Sequence, residues 1–92
     1  MSVRVKIPTQ LRTLTGGQAE LSVDGASDLR ELLGKIKTEH PDLTERLLDE
    51  NGEIRRFVNI YVGEEDVRFL DGLNTNLESG ALVSILPAVA GG

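Results

Sequence analysis

The sequence has no cysteine and no tryptophan, a single histidine, and only 3% aromatic residues. Without cysteine there is neither a disulfide framework nor a thiolate metal site. His40 has no second histidine to join it in binding zinc or in acid–base work. It falls at the end of a helical pattern, where a helix-terminus role is expected. No apolar run approaches the length of a membrane span, and the opening MSVRVKIPTQ holds no signal-peptide stretch. A membrane location is therefore not expected, and a cytoplasmic one is. Positive charge is in the minority, with 10 Lys and Arg against 15 Asp and Glu. That balance argues against a nucleic-acid partner and favours a protein partner with a basic docking surface.

What is present suffices for one small domain: 92 residues, 39% of them apolar. Val3, Val5 and Ile7 alternate with Arg4 and Lys6, which predicts a half-buried strand ended by Pro8. A long turn over residues 9–17 follows, with Gly16 and Gly17 suited to positive φ. Ala19, Leu21 and Val23 alternate again and can pair back as an antiparallel hairpin. Leu29, Leu32, Leu33 and Ile36 then form one helical stripe, with Ser27 the expected N-cap and Lys37, His40 and Pro41 the end. Residues 42–48 read as a further short helix with Leu43, Leu47 and Leu48 inward. Asn51-Gly52 marks a turn. Residues 57–62 (FVNIYV) give the strongest strand signal. Gly63 to Asp66 reads as a tight acidic turn, Val67–Phe69 as a short strand, and residues 81–86 as the last strand.

This order predicts an α+β fold of the β-grasp kind. A mixed four- or five-stranded sheet is covered on one face by one main helix, and the last strand lies parallel beside the first. The expected organisation is a domain over residues 1–86 and a flexible, extended tail over 87–92. Strand parity puts Arg4, Lys6, Phe57, Tyr61, Leu82 and Leu86 on the uncovered face. Phe57, Tyr61, Leu82 and Leu86 then form a candidate docking patch. The plainer alternative is scattered exposed apolar residues, which are normal on protein surfaces.

Several patterns that suggest chemistry break on inspection. Gly34-Lys35 has Leu29 and Ile36 where a phosphate-binding loop needs Gly and Ser or Thr. A calcium loop over Asp49–Gly52 would need a ligand at Leu47. Ser84 has no partner base near it in sequence, and Glu64, Glu65 and Asp66 read as a solvated turn. No catalytic residue, metal site or bound cofactor is expected. The chain would take part in chemistry as a substrate.

The reactive group is expected at the other extreme, in ILPAVAGG (85–92). Two closing glycines arise by chance in about 0.5% of chains at a glycine frequency of about 7%, so the pair alone is weak. Joined to the β-grasp order and a tail begun by a proline, it says more. No Cβ crowds the carbonyl carbon of Gly92, and Gly91-Gly92 can pass through a narrow tunnel. Pro87 fixes its own φ and biases Leu86 to extended geometry. The six residues after Leu86 span on the order of 20 Å at about 3.3–3.6 Å each. Pro87, Ala88, Val89, Ala90 and Gly91 would thread into a partner's active site and deliver Gly92. A carboxylate is a poor electrophile, and adenylation by a partner using ATP and Mg would activate it.

With RFVNIYVGEEDVRF (56–69), VSILPAVAGG (83–92) and VRVKIPTQLR (3–12), the chain resembles the ubiquitin-like sulfur-carrier family over essentially its whole length. That family includes the thiamin-pathway carrier ThiS and the small subunit of molybdopterin synthase; the likeness is greatest to its cysteine-biosynthesis (CysO-type) branch. The resemblance implies that an E1-like enzyme adenylates Gly92 and that a sulfur source converts it to a thiocarboxylate. The terminal sulfur is then passed to an acceptor on a synthase, in that branch a PLP-dependent cysteine synthase. A metalloprotease releases cysteine and restores Gly91-Gly92. Leu86-Pro87-Ala88 replaces the double proline of many molybdopterin-type tails, which turns the expectation away from that pathway. No residues follow the glycine pair, so the resemblance implies a carrier that needs no trimming. Three readings stay open: a sulfur carrier for cysteine, thiamin, molybdopterin or a thiosugar; a ubiquitin-like modifier conjugated to lysines through Gly92; and an interaction module with an inert tail.

Overall fold

The alternating segments near the N-terminus form the expected hairpin. In the computed structural model, which describes residues 2–87, strand β1 (Ser2–Lys6) pairs antiparallel with β2 (Glu20–Asp24), setting Val5 opposite Leu21. Their connection is more ordered than a turn. Thr9–Thr15 winds into a 3-10 helix that buries Leu11 and Thr15 and closes at Gly16 with φ 67. A side chain there would be strained, whereas glycine adopts this left-handed conformation readily.

The apolar stripe folds as read. Leu29, Leu32, Leu33 and Ile36 are all buried on α1 (Leu29–Glu39). The cap is shifted by one residue: Asp28, not Ser27, accepts the Glu31 amide at 2.8 Å, and Glu31 Oε1 in turn accepts the Ser27 amide at 2.8 Å. A carboxylate is the stronger acceptor beside the positive end of the helix dipole. His40 ends α1 and precedes α2 (Pro41–Leu47), which opens on Pro41 and buries Leu43 and Leu47. Leu48 lies just past α2 and is half-buried, bridged to Ile54.

Strand β3 (Val58–Val62) carries the strongest strand signal, and β4 is only Glu65–Asp66. The strand expected over Val67–Phe69 is instead a 3-10 turn. The Asp66 carboxylate accepts the Arg68 amide at 2.9 Å, and that local turn bends the chain away from the ladder. A second 3-10 turn, Gly72–Asn74, breaks the stretch before β5 (Leu82–Pro87).

The five strands run in the order β2-β1-β5-β3-β4. β1 and β5 are parallel, with Val5 opposite Val83, and the other pairs are antiparallel. This is the ubiquitin-like β-grasp. Its cover is not one main helix: α2 and the 3-10 segment Thr9–Thr15 share the apolar core with α1. Val3, Val5, Val58, Ile60, Val83 and Ile85 of the sheet belong to one buried cluster with Leu29, Leu32, Leu33, Ile36, Leu43 and Leu47. The Leu29 amide donates to Thr75 O at 3.1 Å and the Leu77 amide to Ser27 O at 2.9 Å, so the start of α1 is laced to the segment before β5.

Two adjacent residues test the facing of β5. Ile85 is 2% exposed and Leu86 50%. Ile85→Ala is expected to cost about 2–4 kcal/mol in urea unfolding through lost burial and a cavity, and Leu86→Ala under about 1 kcal/mol. Asp28→Ala is expected to cost about 1 kcal/mol by removing the cap of α1, read as a lower urea midpoint at unchanged slope.

Candidate functional site

The strand order places β5 in the middle of the sheet, hydrogen-bonded to β1 on one side and β3 on the other. Pro87, which the sequence assigns to the tail, is the last residue of β5 and stands opposite Val58. Ala88, Val89, Ala90, Gly91 and Gly92, the rest of the expected reactive tail, lie outside the described residues.

The uncovered face of the sheet is arranged in rows by the register. Arg4 stands beside Leu82; Lys6, Ser84, Tyr61 and Asp66 form the next row; Leu86 stands beside Asn59. Tyr61, opposite Ser84, thus stands diagonally between Leu82 and Leu86, which share the outward face of β5 four residues apart. Ser84 and Asn59 fill the alternate positions, so the patch is apolar with polar gaps. Phe57 sits past the last row, in the turn leading into β3, and is 50% exposed. Tyr61 and Leu82 are partly exposed. Arg4 reaches Glu20 at 4.0 Å with both side chains largely in water, a pair worth little to stability. Leu86 also borders an open groove of ≈ 400 Å³ that includes Lys6, Pro8, Thr9 and Arg12. Leu86 and the cations Lys6 and Arg12 therefore border one groove near the end of β5.

Two features of this region escaped the sequence reading. Arg68 was assigned to a strand, yet its guanidinium donates to Val58 O at 2.8 Å, Arg55 O at 2.9 Å and Asn59 Oδ1 at 2.8 Å. Phe69, beside it, is 85% exposed, far more than a strand facing the core would allow. The available signal was the Asp66-x-Arg68 spacing, in which a short acidic side chain can turn the backbone back on itself.

On the other side of Arg68 an open depression of ≈ 680 Å³ is lined in part by Arg30, Arg56, Arg68, Asp49 and Glu53. It does not assemble a reaction centre. The Asp49 carboxylate is occupied by the amides of Asn51 and Glu53, and Arg68 by backbone oxygens. Among the described residues, no group of three or more His, Asp or Glu is placed to hold a metal, and no helix is long and apolar enough to cross a membrane.

Comparison with known proteins is consistent across the chain. The ThiS family profile matches residues 5–92. The sulfur carrier protein CysO of Mycobacterium tuberculosis is 48% identical over 94 residues, with all of both chains covered. The crystal structure of the Amycolatopsis orientalis BexX/CysO complex holds a chain that superposes with a TM-score of 0.89 at 41% identity, covering 98% of this chain and 99% of that one. Small archaeal modifier protein 3 of Haloferax volcanii is 37% identical over 70 residues, 76% of this chain and 75% of that protein. A central β5, a β-grasp sheet with one open face, the family match over residues 5–92 and the full-length similarity to CysO agree: the chain belongs to the ThiS family of ubiquitin-like proteins.

Proposed function

We propose that this protein is a sulfur carrier, a protein co-substrate rather than an enzyme, whose working group is the carboxylate of Gly92. The observation that carries the reading is end-to-end similarity to a sulfur carrier in a chain whose sequence closes on Gly91-Gly92. The chemistry follows from the poor reactivity of a carboxylate. On an E1-like partner that supplies ATP and Mg, a Gly92 carboxylate oxygen bonds to the α-phosphorus and pyrophosphate leaves. Sulfide (HS⁻) then attacks the carbonyl carbon, AMP leaves, the sulfur loses its proton, and a thiocarboxylate remains. The missing Cβ at Gly91 and Gly92 keeps that carbon open and suits the pair to a narrow channel, with Ala88, Val89 and Ala90 leading into it from Pro87 at the end of β5. The body supplies docking and the partner supplies catalysis.

The thiocarboxylate sulfur then attacks an acceptor held by a synthase. Cysteine is the favoured product, formed with a PLP-dependent cysteine synthase and released by a metalloprotease; thiamin, molybdopterin or a thiosugar are the other destinations. Similarity to CysO supports the cysteine branch, and the BexX/CysO complex supports a role in which a carrier of this fold docks on another protein. The setting is cytoplasmic. A second reading is favoured by the similarity to an archaeal modifier: the same activated Gly92 would be joined to lysines of target proteins. In either case the patch of Tyr61, Leu82, Leu86 and Phe57 would meet the activating partner while the tail enters its active site.

Incubation with the activating enzyme, ATP and sulfide is expected to raise the intact mass by the exchange of one oxygen for sulfur, and deletion of Gly92 to abolish the change. A modifier would instead appear as adducts on target lysines, and no change with any activating enzyme of the family would refute both. Leu86→Asp is expected to raise KM for the carrier in adenylation by about 10- to 100-fold, with kcat within about twofold, because a docking anchor is lost and the reacting group is not.

A further inference from the structure

We infer that Arg68 is a positioning residue that holds the Phe57–Leu86 edge of the docking face in shape; the inference rests on the carrier reading for what that edge meets. The need arises from the shortness of β4. Only Tyr61 and Val62 of β3 pair with it, and the chain then turns away over Val67–Phe69. On that side Val58 to Ile60 have no strand neighbour among the described residues, and a bare edge leaves backbone oxygens without donors. The same Asp66-anchored turn that ends β4 aims Arg68 back along the edge.

The guanidinium takes the place of the missing strand. Nη2 lies 2.8 Å from Val58 O and 2.9 Å from Arg55 O, and Nη1 lies 2.8 Å from Asn59 Oδ1; Arg56 O is at 3.5 Å. Arg55 O also accepts the Val58 amide at 3.0 Å, closing the turn that contains Phe57. One planar fork thus fixes both ends of the turn and the first outward-facing residue after it. A lysine, with a single nitrogen, cannot reproduce donors spaced to reach a side-chain oxygen and two carbonyls at once. The clamped residues also face the end of β5, Asn59 opposite Leu86 and Val58 opposite Pro87. Arg68 therefore fixes the turn that carries Phe57 and the start of β3 that pairs with the end of β5. Its long reach, across 9 to 13 residues of sequence, makes this a tertiary device rather than a local one.

Amide exchange and steady-state kinetics on Arg68→Lys and Arg68→Gln test the proposal in the full chain. In both variants the amides of Phe57 to Ile60 are expected to exchange about tenfold faster, while those of Val5 and Leu32 stay within about twofold. KM for the carrier in adenylation is expected to rise about fivefold with kcat within about twofold. Unchanged exchange at Phe57 to Ile60 overturns the clamp. Exchange that quickens equally in the core overturns it as well, because Arg68 would then serve global stability. Faster local exchange with an unchanged KM overturns the docking role. If the unmodified protein is not adenylated at all, the carrier reading falls with that role, and the exchange data still decide whether Arg68 holds the turn.

Discussion

The parallel pairing of β1 with β5 is the constraint on which the remaining architecture depends. It inserts the last strand of the chain between the first strand and β3, so both edges of β5 are hydrogen-bonded and its inner face is closed by apolar side chains. Parallel neighbours need a long crossover, and the helices α1 and α2 form part of it. The covalent route from β1 to β5 therefore also builds the cover. A strand held on three sides is a firm base for a C-terminal tail. A tail that began at an edge strand would start from a frayed platform.

The same geometry divides labour between the two sides of the sheet. Val83 and Ile85 point into the core, where each change of volume is felt. Leu82, Ser84 and Leu86 point outward, where sequence is free to serve recognition. Buried and solvent-facing positions thus alternate along one short strand. This arrangement lets the outward residues change without disturbing the core beneath them. Arg68 extends that economy: a single side chain substitutes for strand pairing that a two-residue β4 leaves out, and it leaves Phe57 exposed where a further strand would have covered the edge.

Much of this was readable from residue pattern alone. Alternation at Val3–Ile7, Leu21–Val23 and Val58–Val62 placed three strands and their faces, because a half-buried strand shows its facing with period two. The Leu29–Ile36 stripe placed α1, and Pro41 placed its end. The misreadings were local contests between similar candidates. Ser27 and Asp28 are both good caps, and the choice fell to the residue whose oxygen reached the Glu31 amide. Val67–Phe69 has strand composition, but the Asp66 side chain bent the backbone first. The stretch 9–15 gave no period at all, and its 3-10 turn is stabilised by burying Leu11 and Thr15 against the rest of the fold.

What the sequence by itself determined was β1, β2, β3, β5, α1 and α2, most of their inward and outward residues, and the glycine pair that closes the chain, with the chemistry that pair suggests. These depend on neighbours within a few positions, where steric and hydrophobic preferences act directly. Tertiary structure alone decided that α2 and a 3-10 turn would share the cover, that Phe57 would sit in a turn at the end of the patch rather than in a strand, and that Arg68 would grip carbonyls far from it in the chain. Those outcomes depend on which edges and cavities remain after the sheet has closed, and no short stretch of sequence carries that information.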